Sequence, residues 1–389
     1  MTPGDVMQDS TLQPVGKRLV LLIAEYGYFL SHRLELAQAA AQCGYSVTVI
    51  TRVPAGTTPG AWPGVQIWHL DLLRGSGNPL ADLRTLWRLA GMLRRLRPTI
   101  LHNVSVKLIL MGSLAAWITG VPRILNAFTG LGTLFHGQTH RMIWLRRVMI
   151  PLLGFLVRRT QAWAMFQNPE DQELMQRLHL AAPDRSLLVC GTGVDTDRFH
   201  PTPEPEGEPV ILFVGRLLDD KGIGEFVAAV RALRHKGMVA RFVAAGESDP
   251  ENPHSVSAAV LEQWRRTTPV EWLGLVGDMP ALLSRSHIVC LPSYHEGAPK
   301  ALLEAAASGR PMVATDIAGC RMVVRHEETG LLVPVRDAAA LAAAIERLIN
   351  RPDQRRAMGE RARTHAVQKL AAPIINEQIT NLYQRMSQP

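Results

Sequence analysis

Apolar residues fall along this chain in short unbroken runs, each followed by a loop and then by a stretch with helical spacing. The first run, Leu19–Ala24, predicts a strand. A loop EYGYFLSH, a helical stretch LELAQAAAQCG ending on Gly44 and a second apolar run, Ser46–Ile50, follow it. A strand, a glycine-containing turn, a helix and a strand within about 35 residues make a βαβ unit, whose strands are parallel. The alternation continues through strands Gln66–Leu70, Thr99–His102 and Arg123–Ala127 and helices Leu80–Leu96 and Lys107–Thr119.

Residues 200–209 read HPTPEPEGEP, with four prolines and a glycine, which predicts a linker. The pattern then restarts with strand Pro209–Val214, turn GRLLDDKG, helix Ile223–His235, strand Ala240–Ala245 and a polar insert ESDPENPHS. Helices Val256–Arg266, Met279–Ser286 and Lys300–Ser308 alternate with strands Val270–Leu273, Ile288–Pro292 and Pro311–Thr315. The expected fold class is α/β, with two Rossmann-like domains of parallel sheet facing a central cleft. They take residues 1–200 and 201–368, and a C-terminal helix over 369–389 packs back toward the first. Open α/β sheets bind ligands beyond the carboxyl ends of their strands, so the chemistry belongs on those loops. A length of 389 residues fits more than one core, and an apolar fraction of 47% excludes a disordered chain.

Charge adds a direction to this picture. Lys and Arg number 42 against 34 Asp and Glu, a net +8, and residues 1–200 carry the whole excess with 20 basic and 12 acidic side chains. From Leu83 to Pro169 there are twelve Lys or Arg and no acid. Such a surface favours an anionic partner, whether membrane phosphates, nucleic acid or a phosphorylated substrate. Within it, residues 141–159 (RMIWLRRVMIPLLGFLVRR) hold a ten-residue apolar run, Val148–Val157, bracketed by Arg146, Arg147, Arg158 and Arg159. That run is too short to span a bilayer and suits a helix lying in the headgroup plane of an anionic membrane. A buried core helix with snorkelling arginines is the alternative, although Pro151 makes a single regular helix awkward. The polar start MTPGDVMQDSTLQPVGKR lacks a signal-peptide core, and Cys43, Cys190, Cys290 and Cys320 are too dispersed for a CxxC pair. The expected location is cytoplasmic, peripheral on the inner face of the membrane.

The most specific chemical signal is SYHEGAPKALLEAAASGRP, where Glu296 and Glu304 stand eight apart. Glu296 precedes the turn Gly297-Ala298-Pro299, Lys300 opens the following helix, and Glu304 lies inside it. The turn and the helix N-terminus offer free N–H groups and a positive dipole end, a seat for a diphosphate flanked by two carboxylates that accept sugar hydroxyls. Arg216 and Lys221, five apart on GRLLDDKG, supply a basic pair after the first strand of the second domain. In the first domain Gly27 is expected in the first strand-to-helix loop, where close approach to a phosphate needs a missing side chain. Ser31 and His32 follow as candidate N-cap and acceptor-facing groups. His102, at the end of an apolar strand, is either a packing or hinge residue or a base. No Asp-x-Asp motif suits a metal-bridged diphosphate and no HExxH or Cys/His cluster is visible, so no metal or other cofactor is expected.

Glu-x7-Glu after a strand ending in Pro-Ser, followed by LLEAAASGRPMVATD, resembles the donor-binding motif of the retaining glycosyltransferases of family 4, which have the GT-B fold. GTGVDTDRFHP at 191–201 and HEETGLLVP at 326–334 extend the likeness, which runs from about residue 18 to about residue 385. It implies a nucleoside-diphosphate sugar donor, uridine diphosphate by expectation, carrying a hexose or N-acetylhexosamine. Arg216 and Lys221 would neutralise the diphosphate, Glu296 would orient the sugar and Glu304 the ribose. The resemblance also implies retention at the anomeric carbon without a protein base, the leaving phosphate deprotonating the acceptor hydroxyl. FLSHRLELA, NAFTGLG and FQNPED resemble the subgroup that builds lipopolysaccharide, capsule or N-glycan precursors, which implies a polyprenyl-diphosphate-linked saccharide acceptor under the basic first domain. Thr129-Gly130 stands where many members have His-Gly. The rival readings are a nucleotide-sugar epimerase or hydrolase of the same fold and, more remotely, a nucleic-acid binder. The basic half lacks an RNP-like or helix-turn-helix pattern, so no nucleic-acid partner is expected.

Overall fold

A computed structural model describes residues 17–72, 79–131, 135, 140–249, 252 and 254–388. The polar N-terminal segment before Lys17, Gly132 of NAFTGLG and three residues of the polar insert lie outside the described residues. Two wholly parallel sheets follow one another along the chain. The first contains β1 (Arg18–Glu25), β2 (Ser46–Arg52), β3 (Val65–His69), β4 (Ile100–Val104), β5 (Arg123–Phe128), β6 (Trp163–Phe166) and β7 (Ser186–Leu188), in the order 3-2-1-4-5-6-7. The second contains β8 (Val210–Val214), β9 (Arg241–Ala245), β10 (Val270–Gly274), β11 (Ile288–Leu291), β12 (Met312–Thr315) and β13 (Gly330–Val333), in the order 10-9-8-11-12-13. These are the two Rossmann-like domains expected from the alternation. In each sheet the strand order reverses at the first strand, so crevices open beyond the carboxyl ends of β1 and β4 and of β8 and β11. The unbroken apolar runs are the central strands: Leu19 to Ile23 and Ile211 to Phe213 are each 1% exposed or less, because helices cover both faces.

Two expectations change. EYGYFLSH is not a loop but a helix, Tyr26–His32, because Tyr26 and Phe29, one turn apart, bury their rings together against the core. Pro151 does not interrupt its segment, which forms one helix, His140–Thr160. Pro151 and Arg147 both lie on the exposed side, where water can satisfy the carbonyl that the missing N–H leaves free. The linker 200–209 joins the two sheets and is held in place: Arg355 holds Glu204 through two hydrogen bonds of 2.8 and 2.9 Å, and Arg310 donates to the Thr202 hydroxyl at 2.7 Å.

The chain crosses between the domains a second time near its end. Val194 makes two backbone hydrogen bonds across this crossing, its N–H donating to Leu370 O and its carbonyl accepting from Ala372 N, each at 2.9 Å. The helix Ala372–Met386 then packs on the helix Leu34–Gln42 of the first domain. Its Tyr383 is fully buried, with its hydroxyl 2.6 Å from His102 Nδ1 on β4.

Candidate active site

The turn GRLLDDKG closes β8 with a short 3-10 segment, Asp219–Lys221, and ends on Gly222 at φ +71°. A Cβ at Gly222 would lie 2.1 Å from the Pro292 carbonyl, so only glycine lets this turn press against the end of β11. That contact brings Lys221 to Glu296, with Nζ donating to Oε1 at 2.5 Å. Ser293 Oγ donates to the same oxygen at 2.8 Å, and the Thr315 hydroxyl anchors Ser293 through its carbonyl. A partly buried carboxylate is thus fixed at the mouth of β11 by one cation and one hydroxyl.

Arg216 sits at the other end of the turn, where its Nη1 donates to Asp249 Oδ2 at 2.7 Å. The loop carrying Asp249 is laid along the turn: Leu217 N donates to Glu247 O, Asp219 N to His254 O and Val256 N to Leu217 O, all between 2.9 and 3.0 Å. Both cations of the basic pair therefore already face carboxylates, and an incoming diphosphate would compete with Asp249 and Glu296.

Beyond Glu296, residues Gly297 to Pro299 lead into the helix Lys300–Ala307, which has no side-chain cap, so its first N–H groups are open at the turn. Glu304 lies one turn in and is 8% exposed. Burial pushes its carboxyl above the usual range, while Lys300, 3.4 Å away, and Arg198 pull it partly back. Lys300 Nζ also donates to the Ser31 carbonyl of the first domain at 2.6 Å, so this lysine spans the cleft.

The first domain closes tightly on the same turn. A Cβ at Gly297 would meet Gln167 Oε1 at 2.3 Å and the Thr129 carbonyl at 2.7 Å, and Asn168 Nδ2 reaches the Glu296 carbonyl at 3.4 Å. Glu170 adds an ion pair to Arg321. The FQNPED string thus touches the Gly297 turn, and Thr129 contributes a backbone carbonyl there.

The other first-domain candidates stand differently from the expectation. Gly27 lies in the first turn of the helix Tyr26–His32, exposed, with nothing within 4 Å of its would-be Cβ. Ser31 is no N-cap: its hydroxyl donates back to the Gly27 carbonyl at 2.8 Å, and Arg33 precedes the next helix. His32 stacks on Tyr28 at 4.2 Å, and burial, helped by Lys300 and Arg33, lowers its pKa to about 3, leaving it neutral at pH 7. His102 joins β4 to Tyr383 and so takes the packing role between the domain and its returning helix. The Asp-x-Asp string at 195–197 is a turn in which Asp195 Oδ1 accepts the N–H groups of Asp197 and Arg198. Sequence reasoning missed Ser293, Asp249, Gln167 and Asn168. FQNPED was visible as a string, but nothing local shows that it meets a turn more than a hundred residues away.

Residues 31–190 match the family described as Glycosyl transferase 4-like domain, and residues 208–351 match Glycosyl transferases group 1. The chain is 27% identical over 336 residues to the N,N'-diacetylbacillosaminyl-diphospho-undecaprenol alpha-1,3-N-acetylgalactosaminyltransferase of Campylobacter jejuni, covering 83% of this chain and 86% of that one. It is 24% identical to the capsular polysaccharide biosynthesis glycosyltransferase CapM of Staphylococcus aureus, over 82% of this chain and 85% of that one. Among solved structures, sucrose-phosphate synthase from Thermosynechococcus elongatus superposes with a TM-score of 0.79 at 20% identity, covering 95% and 99% of the two chains. Anabaena HepE in complex with UDP and glucose gives 0.74 at 17% identity, covering 95% and 99%. With its first domain matching the family-4-like part and its second the group 1 part, the chain belongs to the GT-B glycosyltransferases of this family and is a sugar-transferring enzyme.

Proposed function

We propose that the protein transfers a sugar from a nucleoside-diphosphate donor, a UDP-hexose or UDP-N-acetylhexosamine, to a saccharide carried on a polyprenyl diphosphate, with retention at the anomeric carbon. The observation that carries this reading is the pair of carboxylates on either side of an uncapped helix start: Glu296 at the turn, Glu304 one turn in, with Lys221 beside the first. Arg216, Lys221 and the backbone N–H groups of Gly297, Ala298 and Lys300 receive the diphosphate, Pro299 leaving that turn open because it offers no N–H. Glu296 orients the donor sugar, Glu304 accepts the ribose hydroxyls, and Lys300 joins this side to the first domain. Gly27, exposed in the first turn of the helix after β1 with nothing within 4 Å of its would-be Cβ, leaves room beside it for donor or acceptor.

In the transfer the bond between the anomeric carbon and the β-phosphate oxygen breaks with its electron pair going to phosphate. The acceptor oxygen forms the new bond on the same face, and its proton passes to the leaving phosphate. The charge developing on that phosphate is stabilised by Arg216, Lys221 and the helix N-terminus, so the step needs no metal or other cofactor.

The named acceptor chemistry of the Campylobacter relative, a diphospho-undecaprenol saccharide, and the UDP held by the Anabaena structure support the two substrate classes. The membrane side has support of its own. No helix among the described residues is long and apolar enough to cross a membrane. Three helices on one face of the first sheet, Pro79–Leu96, Val106–Thr119 and His140–Thr160, nevertheless expose Trp87 (54%), Trp117 (45%), Trp144 (66%) and Phe155 (41%). Arg147, Arg158 and Arg159 lie exposed among them. Amphipathic aromatic rings beside arginines suit the headgroup layer of an anionic membrane, reached from the cytoplasmic side, rather than nucleic acid.

The test is a panel of nucleotide sugars offered with a polyprenyl-diphosphate saccharide, with the product read by mass. Glu304→Ala should reduce transfer by at least about a hundredfold while circular dichroism stays unchanged. Full activity in that variant sinks the donor assignment, and donor consumption without any lipid acceptor makes the protein a hydrolase or epimerase.

A further inference from the structure

A second cavity, of 260 Å³, opens in the first domain beyond the carboxyl ends of β1 and β4, between the N-terminal ends of the helices Pro79–Leu96 and Val106–Thr119. It lies at the point where the strand order of the first sheet reverses. Thr129 forms part of its wall, and the Thr129 carbonyl is the atom that lies against Gly297. A group held in this cavity therefore borders the donor-side turn directly. Its volume falls just under the roughly 300–1,000 Å³ of typical ligand clefts, so it holds one monosaccharide unit rather than an oligosaccharide.

Its chemistry is uneven. Ile23, Leu72, Val104 and Leu108 contribute walls that are 3% exposed or less, and Met111 adds a thioether. The polar contributors include Glu25, Ser105 and the pair Lys107–Asp82, whose Nζ and Oδ1 are 2.9 Å apart. A sugar bearing only hydroxyl groups would turn some of them toward the aliphatic wall, where they lose water and gain no partner. A sugar in which a methyl-bearing substituent replaces a hydroxyl fills that wall without this penalty.

We propose that this cavity receives the terminal sugar of the acceptor and selects one carrying an acetamido substituent over an unmodified hexose. The proposal rests on the glycosyl-transfer reading and adds the class of acceptor sugar to it. Met111 and Leu108 are the specificity-determining side chains.

Two acceptors with the same short polyprenyl diphosphate, one ending in N-acetylglucosamine and the other in glucose, test it with the full chain. The expected ratio of kcat/KM is at least about tenfold in favour of the N-acetylated acceptor, the scale of discrimination that a methyl-sized apolar contact gives. Met111→Ser should bring the ratio to within about twofold. Equal turnover of both acceptors by the unmodified protein overturns the proposal. Binding is read separately by saturation-transfer NMR with N-acetylglucosamine 1-diphosphate, where the acetamido methyl should take up saturation and lose it in Met111→Ser. No uptake in the unmodified protein overturns the proposal whether or not sugar is transferred. Uptake that Met111→Ser abolishes, without transfer to any lipid-linked acceptor, leaves the cavity assignment standing and overturns the transfer reading instead, whereas uptake unchanged in Met111→Ser overturns the cavity assignment.

Discussion

Glu296 shows how much a single residue depends on neighbours brought from elsewhere in the chain. Its position before a Gly-Ala-Pro turn was legible, with Ser293 only three residues before it, but the Lys221 ammonium and the Asn168 amide that also hold it come from 75 and 128 residues away. Asp249 is the reverse case. It lies in a polar insert that reads as a simple loop, yet its carboxylate meets Arg216, with the arginine half exposed and the aspartate largely covered. An exposed ion pair of this kind is worth up to about 1 kcal/mol, so removing its charge lowers the competition that a donor diphosphate must overcome. Asp249→Asn should lower the donor KM by about two- to fivefold with little change in kcat, as steady-state kinetics over a range of donor concentrations will show.

Among the elements, the long apolar strands and amphipathic helices were legible because periodicity reports burial directly. β6 and β7 were not: four and three residues carry too little pattern, and they are strands because β5 offers an unpaired edge beside them. The helix Tyr26–His32 was hidden for a related reason, since seven residues with a glycine and no side-chain cap look like a loop until Tyr26 and Phe29 find the core. The returning helix Ala372–Met386 ties the ends of the chain together through Tyr383, whose hydroxyl is 2.6 Å from His102 in a fully buried setting. Tyr383→Phe keeps the ring and leaves His102 Nδ1 without that partner, so urea unfolding should show a loss of about 1–3 kcal/mol. Donor binding, proposed at Arg216, Lys221 and Glu304 of the second domain, should persist.

For the whole molecule, the basic excess acquires a place. The acid-free stretch supplies three helices on one face of the first sheet, whose outer surface carries the exposed aromatic rings together with Arg147, Arg158 and Arg159. Each cationic side chain near an anionic membrane contributes about 1 kcal/mol. Reversing these three arginines to glutamate should reduce co-sedimentation with phosphatidylglycerol vesicles by well over about tenfold, and undiminished binding would defeat the membrane assignment.

By itself the sequence determined two parallel α/β domains, the linker between them and the turn, helix and charges of the proposed nucleotide-sugar site, because burial periodicity, glycine and proline positions and local charge spacing act over a few residues. Only the tertiary structure decided which groups complete the site: Thr129, Gln167 and Asn168 against Gly297, Lys300 against Ser31, Asp249 on Arg216. These contacts join residues from about thirty to more than two hundred positions apart, and their partners are chosen by how the two sheets pack across the cleft, a property that no local spacing encodes.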